Sequence, residues 1–367
     1  MNNYTLENSY VVNNVIFSAE KILRDQFEST SSSELLSNKF YYQYTQMKTL
    51  NAILESGCLW ATDMKYLNDS LEYRSGIETI ANLYSHSKSK TSSEIKERLS
   101  KYKKEYEKDA FSTFSISFCE DGDLLTQWIT YAKEGGVSIG FDFSDDNMYW
   151  SQKINESYFR TNAMKKPLSV MYVPQNSDYQ LKDEYKNNIR NVMQKIITSG
   201  MTTNIERLAF YMVLCYIKNA DFEPEREHRV VSVPCVNSIS SGKEIDYLSP
   251  IKTLLQNSNV FRPYIELYPI NNKQELCKLP IAEIIVGPAS NQDNIFKSLV
   301  YKLEHSFTDN VKIEIPSKNK IDERRIRYKE LVQKLGHCHS RKEVKNKIHF
   351  CEQWGLIIRT SESSYVF

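Results

Sequence analysis

Glycine is scarce in this 367-residue chain, 11 in all, and neither G-x-G-x-x-G nor G-x-x-x-x-G-K-[ST] occurs. The absence of both motifs excludes a dinucleotide fingerprint and a P-loop, so any nucleotide must be held by another architecture. The seven cysteines are scattered and form no C-x-x-C pair; an odd, unpaired set suits a reducing compartment better than a disulfide framework. No apolar run approaches the roughly 20 residues of a spanning helix. The opening MNNYTLENSYVVNN has neither a basic nor an apolar leader region, and the expected location is the cytoplasm. A net charge of +1 supplies no global field for nucleic acid. The charge is uneven, however: from Lys318 onward twelve Lys/Arg face six Asp/Glu, which leaves 35 against 40 in residues 1–317. A basic tail on a mildly acidic body is the pattern of a polyanion contact or of a solvated helix.

Aromatic residues are abundant, with 24 Tyr and 16 Phe. Residues 12–37 read as a marginal helix broken by Ser29–Ser33. Phe40 to Tyr44 is an aromatic strand, after which Thr45 caps a helix over 46–56 with Met47, Leu50, Ile53 and Leu54 at helical spacing, stopped by Gly57. The pattern then predicts a strand over 58–62, a turn-rich loop over 63–70, a helix carrying Glu72 and a charged helix over 94–108. In 111–119 the alternation of Phe114, Ile116 and Phe118 with Thr113, Ser115 and Ser117 predicts a half-buried strand. A helix over 124–133, the Gly135-Gly136 turn and a strand over 137–143 follow. Further expectations are a strand over 168–173, helices over 180–199 and 203–219, an extended 245–248 and a helix near 250–256. Strands are expected over 264–268, 282–288 and 311–315, with a helix over 291–305 between the last two. Pro316-Ser317 is the best boundary, and beyond it helices over 320–335 and 340–354 and an extended 356–367 suggest a winged-helix module.

The stretch Lys218 to Pro234, KNADFEPEREHRVVSVP, passes from a Glu223-Pro224 turn into a β-branched run. On a strand, Glu225, Glu227 and Arg229 share one face. Burying such charges is costly unless they are paired. The face is therefore either a charged edge that discourages aggregation or a site in which two acceptors stand at fixed separation.

The set Tyr42-Gln43-Tyr44-Thr45, Leu50, Ile53-Leu54, Gly57, Leu59-Trp60, Leu67-Asn68-Asp69 and Glu72 resembles the opening of a widespread bacterial family of unknown function. The resemblance continues through Trp128, Tyr131-Ala132, Gly136, Gly140-Phe141, Lys218, Glu225-x-Glu227-x-Arg229 and the Ile284 to Pro288 strand, covering roughly residues 40–315. Its first block is similar to the opening of DNA-targeting ADP-ribosyltransferase toxins, and its Glu-x-Glu strand to the catalytic strand of many mono-ADP-ribosyltransferases. The resemblance implies an α+β, ADP-ribosyltransferase-like split β-sandwich over residues 40–316, with helical insertions. An N-terminal helical extension over 1–39 and a basic winged-helix-like module over 317–367 flank it. Two departures stand out: Gln43, uncharged, where such enzymes often carry His or Arg, and Phe118-Cys119-Glu120 where serine is usual in place of cysteine.

The implied activity is transfer of ADP-ribose from NAD to a macromolecule, or NAD hydrolysis, by an effector of the toxin or antiphage-defence kind. Cleaving the nicotinamide–ribose bond develops positive charge on the ribose, which a carboxylate stabilises. Glu227 is the candidate for that role and Glu225 for orienting or deprotonating the acceptor. Gln43, Tyr44, Tyr66, Asn68, Asp69, Trp128, Tyr131 and Arg229 are the candidate NAD contacts. For the aromatics the alternative is core packing, for Asn68 and Asp69 a turn and helix cap, and for Arg229 a structural pair with a glutamate. Two rival readings are a magnesium-dependent nuclease built on Glu225, Glu227 and Asp63 or Asp69, and a nucleotide or nucleic-acid binding module without turnover. His337, Cys338, His339, His349 and Cys351 crowd together, but their spacing fits no standard zinc finger, and no metal is expected.

Overall fold

The structure, a computed structural model of the chain, describes residues 40–67, 72–85, 90–106, 112–154, 157–160, 166–173, 183–198, 210–234, 236–238, 246–247, 250–255, 260–305 and 311–363. The expected helical extension over 1–39 lies outside these residues, as do Asn68 and Asp69. The fold is mixed α+β with mostly antiparallel strands. The described residues form two compact units, one from Leu59–Ser117 and Tyr149–Gln274, the other from Leu36–Cys58, Phe118–Met148 and Glu275–Phe367.

In the first unit the long strand Phe261–Ile270 pairs with three others, Leu59–Asp63, Lys252–Leu255 and Tyr149–Ile154. Its Ile265 and Leu267 are buried and alternate with half-buried Tyr264, Glu266 and Tyr268, as period two requires. A helical core packs with the strands Met171–Val173 and Ile217–Asn219. The helix Glu72–Ser85 places Tyr73, Ile77, Ile80 and Tyr84 on one stripe. That stripe meets Ile95 and Leu99 of the helix Lys90–Tyr106 and Ile189, Val192, Met193 and Ile196 of the helix Asp183–Thr198.

Three local expectations are corrected in this unit. The helix predicted over 203–219 stops at residue 214, and Ile217–Asn219 is a strand paired in parallel with Met171–Val173. The 250–256 segment is a strand, Lys252–Leu255, because its backbone finds a ladder partner in Phe261–Tyr264 that outweighs local helix preference. The single strand expected over 168–173 breaks at Val170, whose N–H is drawn 3.0 Å to the carbonyl of Glu227.

In the second unit the strand order is Ile348–Cys351, Leu356–Thr360, Ile281–Val286, Val137–Phe141, Tyr41–Thr45. Val137–Phe141 is buried on both faces. On one face Tyr42 and Tyr44 pack with Ile285 and with Trp128 and Ala132 around the helix Leu125–Tyr131. Gly140 is required there, since an added Cβ would lie 2.8 Å from the ring of Tyr42. Gly57 stops the helix Met47–Ser56 at φ 70°, as expected. Its N-cap, however, is Gln46 without a side-chain bond, not Thr45.

The second predicted tail helix is shorter than its spacing suggested. A Ser340/Glu343 capping box starts it, and it ends at Lys347, where Ile348–Cys351 turns back as a strand against Leu356–Thr360. The boundary expected after Pro316 does not coincide with the division into units. Leu356–Thr360 is the parallel neighbour of Ile281–Val286, so the tail extends a sheet of the unit that also holds residues 275–316. In Phe114–Cys119, Ser115 is only 3% exposed, so the serine face is covered as well and the strand is not half-buried.

Candidate functional site

The charges of Lys218 to Arg229 converge in the first unit, though not by the spacing the sequence suggested. Glu225 closes a short 3-10 turn, Ala220–Glu225, and is not on the strand. Arg226 then takes a left-handed conformation, φ 46° and ψ 50°, and the strand begins at Glu227. Such a conformation is uncommon for a residue other than glycine, and here it reverses the chain between the two glutamates. Lys218, on the neighbouring strand Ile217–Asn219, gathers both: its Nζ donates to Glu225 Oε2 at 2.7 Å and to Glu227 Oε2 at 2.7 Å. The ammonium also lies 4.8 Å from the centre of the Phe222 ring.

Arg229 completes the cluster from the same strand. Its Nε donates to Glu227 Oε1 at 2.6 Å and its Nη2 to Oε2 at 2.9 Å, a two-pronged pair. Nη1 donates to the carbonyl of Cys215 at 2.6 Å. Only 1% of the Arg229 surface is exposed, and the pairing with a glutamate that the sequence allowed is present. Tyr172, two strands away in sequence but opposite Lys218 in the parallel ladder, closes the set, its hydroxyl oxygen accepting the backbone N–H of Glu227 at 2.6 Å.

The two carboxylates differ in exposure and in proton affinity. Glu227 is 5% exposed. Burial alone would raise its pKa, but the charges of Arg229 and then Lys218 prevail and hold it down at about 2. Glu225 keeps 16% of its side chain exposed. Burial raises its pKa, aided by the nearby Glu227 charge, and Lys218 only partly offsets the rise. One lysine thus joins a carboxylate held well below the usual range to one whose proton affinity burial raises.

Gln43, Tyr44, Trp128 and Tyr131 belong to the second unit. Tyr44 and Trp128 are core: their rings meet edge to face at 4.7 Å, and Trp128 is fully buried with its Nε1 donating to Asp123 at 2.8 Å. The Tyr44 hydroxyl accepts from Leu124 N–H at 2.7 Å and donates to the Asp121 carbonyl at 2.8 Å. Tyr131 is half-buried, and Tyr66, in the first unit, is 39% exposed. The Oε1 of Gln43 is buried without a hydrogen-bond partner among the described residues, an open acceptor on a strand otherwise packed with aromatics. Asp63 is buried at 3% exposure and accepts from Lys65 N–H, capping a turn. Among the described residues no group of three or more His, Cys, Asp or Glu is placed to hold a metal.

A second charged cluster, unseen in the sequence, lies in the second unit. Glu283, 0% exposed, accepts from Tyr42 Oη at 2.6 Å, Arg359 Nε at 2.7 Å and Arg327 Nη2 at 3.2 Å. Arg359 also reaches Asp123 at 3.5 Å, and Arg324 holds Asp142 at 3.1 Å. Four tail cations, Lys320, Arg324, Arg327 and Arg359, thus pair with carboxylates earlier in the chain.

The contacts of Tyr172 and Tyr42 were missed because their partners lie 55 and 241 residues away. The bulky, half-buried Tyr172 in an alternating strand was the available signal.

Residues 127–230 match a family described as a protein of unknown function (DUF2971), a stretch that includes Trp128, Tyr131, Tyr172, Lys218, Glu225, Glu227 and Arg229. No curated protein and no solved structure matches the chain.

Proposed function

We propose that the Lys218, Glu225, Glu227 and Arg229 cluster is the catalytic centre of an ADP-ribosyltransferase-like enzyme that cleaves the nicotinamide–ribose bond of NAD. ADP-ribose then passes to a macromolecular acceptor or to water. The observation that carries this is the opposed behaviour of two carboxylates joined by one lysine: Glu227 held ionised, Glu225 with its proton affinity raised.

The chemistry follows from that division. As the bond from ribose C1′ to the ring nitrogen breaks, its electron pair neutralises the pyridinium and positive charge grows on the ribose. Glu227, an anion at all physiological pH, supplies a fixed negative charge in a place where water does not screen it. Glu225, the more exposed of the two, meets the incoming hydroxyl or water and takes its proton as the new bond to C1′ forms. Lys218 and Arg229 hold both carboxylates in place, and their charge leaves the ionised cluster neutral overall. The direct contact thus falls to Glu225, with Glu227 behind it, a reassignment of the roles implied by resemblance.

A toxin or defence role, action in the cytoplasm and target recognition by a winged-helix-like tail belong to the same proposal by analogy with the transferases the chain resembles. In the tail, Lys318, Arg341, Lys342 and Lys345 are exposed and are the cations on which such recognition would fall.

The test is nicotinamide release from NAD, with transfer of labelled ADP-ribose as a second readout, by the wild type and by Glu225→Gln and Glu227→Gln. Loss of about a hundredfold or more in both variants is expected. Equal rates in all three proteins would remove the proposal. A thermal shift with NAD but no nicotinamide release would favour the binding-module reading instead.

A further inference from the structure

The hydroxyl of Tyr172 has only half of its hydrogen bonding accounted for. Its oxygen accepts the N–H of Glu227 at 2.6 Å, which pins the phenol beside the cluster. The proton it carries meets no acceptor among the described residues. The side chain is half-buried, and Tyr172 stands opposite Lys218, the residue that holds Glu225, in the parallel ladder of Met171–Val173 with Ile217–Asn219.

The phenol remains a donor throughout the neutral range. Burial raises its pKa, and the charges of Glu227 and Glu225 add to the rise, while the bond from the Glu227 amide and the charge of Lys218 oppose it. A half-buried hydroxyl that accepts one bond and donates none within the protein leaves its donor for water or a ligand.

We propose that Tyr172 is a ligand-contacting residue that donates its hydroxyl proton to an oxygen of a ribose-bearing ligand at Glu225 and Glu227. The arrangement then gives a sugar one donor, Tyr172, and one acceptor, Glu225, at the outer side of the cluster, the complementary pair that a hydroxyl-rich ring requires. Lys218 serves it indirectly, by fixing Glu225 at 2.7 Å while it holds Glu227. This inference rests on the function proposed above and deepens it by naming the chemical group that selects the ligand.

The experiment uses the full chain and ADP-ribose as the probe, with binding measured by calorimetry and nicotinamide release measured in parallel. Tyr172→Phe is expected to weaken ADP-ribose about tenfold, the usual worth of one hydrogen bond. Because that variant also strands the Glu227 amide, a second protein carries 3-fluorotyrosine at position 172. It keeps the accepting oxygen and makes the phenol more acidic, so ADP-ribose affinity is expected to fail at a lower alkaline pH than in the wild type. A merely structural tyrosine would not move that limb. If the wild type binds ADP-ribose and releases nicotinamide while both variants bind as it does at every pH, this inference alone falls. If the wild type neither binds ADP-ribose nor releases nicotinamide, the proposed function falls with it.

Discussion

Two buried glutamates, Glu227 and Glu283, sit in different units of the chain, each held by two cations and accompanied by a tyrosine. Glu283 is closed on every side: Arg359, Arg327 and Tyr42 take its oxygens and none of its surface is exposed. Burial pushes its pKa up, and the charges of Arg359 and Arg327 with the Tyr42 bond bring it below the ordinary value. Glu227 is held as firmly, but its lysine also carries a second carboxylate, Glu225, which remains part-exposed and is pushed the other way. What sets the Glu227 cluster apart is a second carboxylate with raised proton affinity, Glu225, at 2.7 Å from the shared lysine; in the Glu283 cluster Arg359 reaches its second carboxylate, Asp123, at 3.5 Å, and both arginines come from the tail. The Glu283 cluster is an anchor. The Glu227 cluster has the same anchor with a reactive group attached.

The comparison breaks if removing either anchor is harmless. Glu283→Ala leaves Arg359 buried without its carboxylate, and a loss of about 3–5 kcal/mol in urea unfolding of the second unit is expected. Glu227→Gln keeps the shape but takes from Arg229 its paired carboxylate and from Lys218 one of its two, for which about 2–3 kcal/mol is expected in the same measurement. Activity at a temperature where the variant is folded should nevertheless be lost. A variant of Glu283 that holds its fold while abolishing nicotinamide release would reverse the roles of the two clusters.

Smaller effects sharpen the contrast. Gly122→Ala would drive a Cβ into the ring of Tyr42 and into Ile285, moving the hydroxyl that bonds Glu283; overpacking of this kind costs about 1–3 kcal/mol, measurable as a fall in Tm. Glu225→Gln is expected to change stability at neutral pH by less than about 1 kcal/mol, yet to alter its pH dependence. The folded pKa of Glu225 is raised, so what it contributes is present below the unfolded value near 4.3 and is lost as pH rises through the folded value. The Gln variant lacks that decline. Glu227 has the opposite sign: its contribution is full above the ordinary carboxylate range and is lost as pH falls toward about 2. Unfolding free energies measured from pH 3 to pH 7 separate the two slopes.

Much of this was legible where contacts are local. Gly57 as a helix stop, the Tyr41–Thr45 strand and the buried Ile281–Val286 strand followed from period and turn chemistry. The convergence of the Glu225–Arg229 charges was legible for the same reason, since Lys218, Glu225, Glu227 and Arg229 fall within a dozen residues. Its geometry was not: the left-handed turn at Arg226 takes Glu225 off the strand, and no propensity announces an arginine in that conformation. The Glu283 cluster was illegible because its members come from Tyr42, Glu283, Arg327 and Arg359, and only pairing of distant strands joins them. Hence the basic tail suggested a polyanion contact or a solvated helix, and gave no sign that Arg324, Arg327 and Arg359 pair with carboxylates earlier in the chain. Lys252–Leu255 shows the same limit, a helix by local pattern and a strand by its ladder.

The roles of Glu225 and Glu227 are tested most directly by a carbon-13 NMR titration of their side-chain carboxyls, assigned through the two Gln variants. Glu227 is expected to stay ionised down to about pH 2 while Glu225 titrates above the usual carboxylate range. If both take up protons together at an ordinary pH, the division of labour at this site is contradicted.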